Sequence, residues 1–454
     1  MKQIQGLSWQ QIFLMGGALF AMHFGGASMI WPMTWGKESG SSVLLAFSGI
    51  FITALLLPLL AYVALSRGQG SFLTITRRAL PTFGHFFCGA TIMVLGPLFV
   101  IPRMSAASWD VILQVTGWQP TSGLPVLLFS CAYYLLTYWF VFSRAELIGK
   151  ISKILFPALI LIVTAIVSKG LWAPINATQA APSYSIPPVL YGFTEGYATG
   201  DLLCGLVFGV IILNNLKRMG LPASQLKPTV IKVGCVGIGI LTTIHLGHML
   251  VGSYAGSLEQ LKYATLYAQV VLHLWGSTGG IFFSVALIFA ALTTAIGLTA
   301  ATAEYFEEAS HKRLPYKGIA IAVLSSSTII GSIGLEQIVA IFAPLLDAFY
   351  PGAILLTLYY AFVPHCFSPK GLNGLRYAVI ASFTMGLLDV AFTYNGLFSL
   401  ELQAFVHFYQ SLPLSAYKLT WVPVALLCGL LGSLRRVELP LVSPQLAKAS
   451  ITHK

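Results

Sequence analysis

The sequence predicts an all-α membrane protein of about twelve transmembrane helices, and three observations carry that prediction. Charged residues make up 9% of the 454-residue chain and hydrophobic residues 57%, against about 25% charged in soluble domains. The mean hydropathy of +0.82 leaves too little polar surface for water. The apolar residues gather in runs of about 20, the length that crosses a bilayer.

Those runs place spans at roughly 11–31, 43–65, 85–113, 123–142, 151–169, 189–214, 229–252, 276–303, 317–334, 337–362, 375–395 and 417–434. The ninth and tenth are separated only by a tight turn near Glu336. The first apolar run has no small-residue cleavage pattern after it, so it reads as a retained helix and not a signal peptide. A proline-rich joint at about 170–188 (Pro174, Pro182, Pro187, Pro188) divides the chain. We read residues 1–454 as a single polytopic domain with halves 11–169 and 189–362 and accessory helices in 375–434.

The net charge of +11 fits nucleic acid in principle, but the basic residues fall in short loops and report topology. With the N-terminus inside, 20 Lys and Arg residues lie on the inner side, from Lys2 through Arg67, Arg144, Arg218, Lys312 and Arg376 to Arg436, Lys448 and Lys454. Only 4 (Lys37, Lys169, Lys262 and Lys418) lie outside, and Arg103 falls within a span. Both termini are therefore expected in the cytoplasm, with the chain in a bacterial inner membrane. The cysteines Cys88, Cys131, Cys204, Cys235, Cys366 and Cys428 are scattered without a C-x-x-C pair, which favours packing over disulfides or a metal cluster.

The first span holds His23-Phe24-Gly25-Gly26-Ala27-Ser28 and then Pro32. The sixth holds Tyr191-Gly192-Phe193-Thr194-Glu195-Gly196-Tyr197-Ala198-Thr199-Gly200-Asp201. Glycine and polar residues inside an apolar run either let helices pack closely or unwind the helix to line a cavity. A carboxylate at a helix centre costs about 2.5–3.5 kcal/mol on insertion scales. Asp201 therefore needs a proton, a cation or free amides. Two such interruptions five spans apart predict a repeat of five helices plus five, inverted, with breaks in helices 1 and 6. Half-helix ends of that kind meet near the midplane to grip a solute and an ion. The eighth span reads Phe289-Ala290-Ala291-Leu292-Thr293-Thr294. Its paired hydroxyls and the Ala290 carbonyl offer oxygens to a hard cation, or else bond back to their own helix.

These stretches, with Gly96-Pro97-Leu98-Phe99-Val100-Ile101-Pro102-Arg103 in the third span and Ala303-Glu304-Tyr305-Phe306 in the eighth, resemble the branched-chain amino acid carriers of the BrnQ type. That family is similar in plan to the leucine-transporter fold. The resemblance implies symport of leucine, isoleucine or valine with Na+ or H+. It implies a cation at the carbonyls of Ala21, Phe24 and Ala290 and the hydroxyls of Thr293 and Thr294. It implies a substrate at Gly25, Gly26, Ala27, Ser28, Phe193, Tyr197, Thr199 and Gly200, with its side chain in a pocket from spans three, six and eight. Where the family usually has Phe-Phe-Gly-Ala-Gly-Asn and Thr-Met-Asp, this chain has His23 to Ser28 and Thr199-Gly200-Asp201. Both departures reshape the pocket, which leaves methionine or another apolar amino acid as alternative substrate.

Four further residues carry gating or charge expectations: His23, Arg103, Glu195 and Asp201. Arg103 is either a gate or salt bridge in the outer vestibule, or a side chain reaching the interface. His23 either carries a coupling proton or is a hydrogen-bonded core histidine, the reading we favour. His245 and His248 suit helix–helix bonding better than a transition metal. Asp347 and Asp389 either relay protons or pair with polar neighbours. Trp9, Trp31, Trp35, Trp172 and Trp421 read as an interfacial belt. No G-x-x-x-x-G-K-[ST] loop is present, so neither an enzyme nor a self-contained ATP-driven pump is expected, and no cofactor beyond the coupling ion. A transporter-like receptor would need a signalling extension, and a channel an open path. The sequence assigns no oligomeric state.

Overall fold

The computed structural model describes residues 6–68, 71–143, 146–178, 182–258, 261, 263–364, 368–400 and 402–435. Lys2, Arg144, Lys262, Cys366, Arg436, Lys448 and Lys454 lie outside the described residues. Every regular element among the described residues is helical.

The first expected span is two helices, α1 (Trp9–His23) and α2 (Gly26–Ser39). Ser8 and Gln11 cap α1 reciprocally, each side chain satisfying the other's backbone N–H. The second span runs from α3 (Val43–Ile50) through a wide π-type turn at Phe51–Leu56 into α4 (Leu57–Arg67). The short helix α5 (Phe72–Ala79) follows, too short for a hydropathy run to mark. The third span joins α6 (Gly84–Met93) to α7 (Ile101–Thr116) through a wide turn at Val94–Val100. The fourth is α8 (Leu124–Phe142). The fifth joins α9 (Leu147–Lys150) to α10 (Phe156–Trp172) through Ile151–Leu155. Each wide turn ends two residues before a proline: Pro58, Pro102 or Pro157. A proline lacks an N–H and its ring crowds the carbonyl four residues back, so the helical ladder opens there.

The sixth span is α11 (Pro188–Ala198) and α12 (Asp201–Arg218), bent by 49°. The seventh is α13 (Ala223–Ser253). The eighth lies in α14 (Tyr263–Ala309), which begins earlier than expected because the chain turns at Gly276 (φ 61°, ψ −149°) and is helical on both sides. The ninth, α15 (Tyr316–Gly331), folds back by 112° into α16 (Leu335–Phe342). The expected tenth span therefore divides into α16 and α17 (Pro344–Phe362). Three more helices follow: α18 (Pro369–Leu397), α19 (Gln403–Ser411) and α20 (Trp421–Leu434). By length and composition, 8 helices among the described residues can cross a membrane, or up to 10 with each bent pair as one span. The two remaining expected spans are the first, split into short halves, and the last, where α20 has 14 residues.

The helices bury polar groups and expose apolar ones. Leu135, Leu161 and Leu430 face outward while Asp201, His245 and Thr293 are interior, the distribution that lipid as solvent requires. The tryptophans divide. Trp9 and Trp172 are exposed at 71% and 89%, as an interfacial belt requires, but Trp35 and Trp421 are buried at 1% and 6%. Both have polar partners inside: Trp35 Nε1 donates to Glu195 Oε2 (2.9 Å) and Trp421 Nε1 to Tyr197 Oη (3.1 Å). An indole can be buried once its N–H is satisfied, and span-end position does not report that.

Candidate functional site

The first break falls between His23 and Gly26, inside the expected motif. The last carbonyls of α1 have no intrahelical partner, and α14 supplies one. Thr293 Oγ1 donates to the Ala21 carbonyl and shares the Ala290 carbonyl of its own helix at 2.8 Å. Thr294 Oγ1 donates to the Met22 carbonyl at 2.6 Å. Five oxygens from two helices thus converge in a buried pocket. Met22, absent from the sequence expectation, supplies the second α1 carbonyl to this cluster. The Phe24 ring stacks on His248 at 5.9 Å. Which carbonyl faces α14 depends on where α1 stops turning, and residue type does not report that. Gly25 permits the approach, since a Cβ there would sit 2.7 Å from Thr294 Oγ1.

Beyond the break, α2 starts at Gly26 with Gly25 as N-cap and no side-chain cap. The amides of Gly26, Ala27 and Ser28 occupy its first turn, where N–H groups have no intrahelical acceptor and the helix dipole is positive. Gly26 faces Ala107, Leu287 and Ala291, from α7 and α14.

The sixth break falls at Gly200, which is left-handed (φ 68°, ψ 14°). Thr199 Oγ1 donates to the Gly196 carbonyl (2.8 Å) and accepts from the Asp201 amide (3.3 Å). The other glycines of this motif serve packing. A Cβ at Gly192 would overlap the Ala46 carbonyl, and one at Gly196 the Thr53 side chain, so both seat α11 against the second span. Both readings of the glycine-rich run therefore hold, at different residues.

A cavity of ≈ 820 Å³ opens beside this break, within the roughly 300–1,000 Å³ of small-molecule sites. Trp31, Phe99, Arg103, Tyr197, Gly200 and Tyr350 line it, with Asp347 and Lys418 also on its wall. Its walls come from α2, the third span, α11, α16, α17, α18 and residues 416–418, so of the three spans expected around a pocket the third and sixth line this cavity. The eighth helix contributes the oxygen cluster and the floor beneath Gly26. Tyr197 lines the cavity as expected, held by Trp421 and by the Tyr350 ring at 4.8 Å. Phe193 does not line it; its carbonyl accepts from Thr53 Oγ1 (3.1 Å) at the seam with α3. Tyr350 was missed, because a tyrosine in an apolar run is indistinguishable by sequence from core packing.

The charged and titratable residues resolve by position. Arg103 lies over Phe99 at 4.5 Å and Trp31 at 5.7 Å, a cavity-wall residue and not one reaching for the interface. Glu195 accepts from Trp35. His23 is a buried core histidine bonded through Nε2 to Tyr62 Oη at 2.5 Å. His248 Nε2 bonds Tyr267 Oη (2.8 Å) across to α14, and His245 bonds its own Leu241 carbonyl (3.0 Å). No three metal-ligating residues cluster among the described residues. Asp347 pairs with Lys418 at 2.6 Å, and Asp389 Oδ1 accepts from Tyr409 Oη at 2.6 Å.

Residues 8–438 match the family model described as "Branched-chain amino acid transport protein". The chain is 30% identical to the branched-chain amino acid permease BraB of Bacillus subtilis, over 84% of this chain and 89% of that one. It is 31% identical to the branched-chain amino acid transport system 3 carrier protein of Pseudomonas aeruginosa, over 78% and 81%. Among solved structures, the nucleobase-cation-symport-1 family transporter Mhp1, closed with bromovinylhydantoin bound, matches with TM-score 0.58 at 12% identity, covering 93% of this chain and 91% of its own. The Eremococcus coleocola manganese transporter matches with TM-score 0.56 at 15% identity, covering 95% and 97%. These last two likenesses establish the fold, which this chain shares with both transporters.

Proposed function

Since this chain belongs to the branched-chain amino acid transport protein family, we propose that it imports leucine, isoleucine or valine, with methionine as the alternative apolar substrate, by symport with Na+ or H+. The bonding of Thr293 and Thr294 to the Ala21 and Met22 carbonyls carries this reading. A cation takes the same oxygens, with Ala290, once the hydroxyl hydrogens turn away, and so pins α1 to α14. The substrate carboxylate takes the first-turn amides of Gly26, Ala27 and Ser28 at the positive end of α2. Its apolar side chain lies toward Tyr197 and the wall of the ≈ 820 Å³ cavity.

Alternating access is supported by an asymmetry. The large cavity reaches Lys418, on the face poor in Lys and Arg. On the basic face, the space between α5, α6, α12 and α14 is only ≈ 40 Å³. There Glu304 of α14 accepts from Asn214 and Arg218 of α12, each at 2.7 Å. With both termini in the cytoplasm of a bacterial inner membrane, this is an outward-facing state. A cation that prefers this state favours it by its differential affinity. Reciprocal packing supports twelve spans and the inverted five-plus-five plan. The first span lies along α13, and α11 and α12 lie along the second, while α7 pairs with α14 and α8 with α15.

Proteoliposomes with Na+ and pH gradients imposed separately provide the test. Labelled leucine, isoleucine, valine and methionine are supplied outside, and gradient-driven accumulation of at least one is expected. Accumulation of none ends the substrate claim, and accumulation indifferent to both gradients ends the symport claim.

A further inference from the structure

Asp201 is 7% exposed, and its Oδ2 has no hydrogen-bond partner. Two other buried polar atoms nearby share that condition: Arg103 Nε and Tyr350 Oη. They come from three different helices, and Asp201 lies within electrostatic reach of both other residues. Arg103, Tyr350 and Gly200, the residue before Asp201, all line the large cavity. The structure records no hydrogen bond or ion pair between Arg103 and Asp201. Arg103 therefore supplies charge without supplying a donor. Leaving a buried acceptor unmet is costly, so the cluster is built for something that arrives.

Resting on the amino acid reading above, we propose that Asp201 receives the α-ammonium group of the substrate, with Tyr350 Oη as a second acceptor. A metal cation at Asp201 would meet Arg103 with nothing to offset the repulsion. A zwitterion brings its own offset. Its ammonium meets the free carboxylate oxygen while its carboxylate turns to the positive groups, Arg103 and the α2 amides. The net charge buried does not change, and each unmet atom gains a partner. Asp201 is thus the residue that makes the carrier select amino acids over carboxylates of the same shape. The oxygens at Thr293 and Thr294 remain for the ion.

The test compares leucine with 4-methylpentanoate, which is leucine without its amino group. Dissociation constants are measured on the purified, detergent-solubilised carrier and on Asp201→Asn. Leucine affinity is expected to fall about 30-fold or more, the loss of one partner from a buried charge pair, while 4-methylpentanoate binding does not weaken, since Asn removes a like charge from the surroundings of its carboxylate. Asp201→Glu, which keeps the charge, should retain most of the preference for leucine. A preference that persists intact in Asp201→Asn overturns the assignment, as does an equal loss for both ligands. A second measurement needs no variant: leucine should slow carbodiimide modification of Asp201 in the unaltered protein, and 4-methylpentanoate should not. Equal protection by both also overturns it. Failure of the underlying reading is distinct, because then the unaltered protein binds neither leucine, isoleucine nor valine.

Discussion

The two helix breaks use glycine for opposite reasons. Gly25 sits in ordinary extended backbone (φ −80°, ψ −177°), which any residue adopts. It is glycine because Thr294 occupies the space of a Cβ. Gly200 has room, since among the described residues a Cβ there would meet Leu346 Cδ1 at an ordinary 3.8 Å, but its φ of 68° is left-handed. The first break is a sealed joint in which neutral oxygens of two helices press together. The sixth is a hinge in the wall of a cavity, followed at once by a carboxylate. A repeated defect thus yields two chemistries, one suited to an ion stripped of water and one to a charged solute from the cavity.

The largest expected effect breaks the sealed joint. In Thr293→Val, Thr294→Ala, the Ala21 and Met22 carbonyls lose their donors and the cluster loses two oxygens. A contact between an ion and a neutral oxygen is charge-assisted, at about 1.5–3 kcal/mol each, so losing two should raise the half-saturating cation concentration for uptake roughly 100-fold or more. Unchanged ion dependence would remove the cation site from this joint. Gly25→Ala attacks the same joint by volume. Overpacking of this kind costs about 1–3 kcal/mol, so the purified protein should melt several degrees lower and uptake should fall about tenfold. An unaltered melting curve would mean that α1 and α14 are not held as closely as the structure has them.

Most of this contrast was legible as position and little of it as role. Breaks were expected within residues 24–28 and beside Asp201, and both occur there, because glycine beside polar groups in an apolar run has few other uses. The paired hydroxyls Thr293 and Thr294 were legible for the same reason. The sequence could not show which way a carbonyl turns, so the Met22 carbonyl that meets Thr294 was not legible. Nor could it show which glycines pack and which hinge, so Gly192, Gly196 and Gly200 read alike. Phe193 and Tyr197 read alike as aromatics able to close over a solute, yet they are four residues apart on α11, and Tyr197 lines the cavity while the Phe193 carbonyl meets Thr53 at the seam with the second span. Tyr350, distant in sequence, reaches the cavity from within α17, beside Tyr197 of α11. Hydropathy sees length and polarity but neither rotation nor long-range approach.

Gly200→Ala sharpens the other side of the comparison. A left-handed backbone costs an ordinary residue about 1–2 kcal/mol, with no clash added here. A modest drop in melting temperature is expected, and Gly200→Asn should recover part of it, since asparagine tolerates that conformation better. At Gly25, Asn should be no better than Ala, because space is the constraint there. If Asn helps equally at both positions, the two glycines do not differ in the way their geometry indicates.

The smallest effect concerns how the hinge is braced. Trp421 of α20 donates to Tyr197 Oη at 3.1 Å, which ties α20 to α11 at the cavity wall. Trp421→Phe keeps most of the apolar ring but removes the donor, and a single neutral hydrogen bond contributes about 0.5–1.5 kcal/mol. Tyr197 also touches Tyr350 ring to ring at 4.8 Å, so it stays in place but less firmly. The apparent KM for leucine should rise two- to tenfold, while the half-saturating cation concentration should not change, since the Thr293 and Thr294 joint lies on another pair of helices. If the ion dependence moves as much as the KM, α20 braces both breaks together, and the division of labour between them is less complete than their geometry implies.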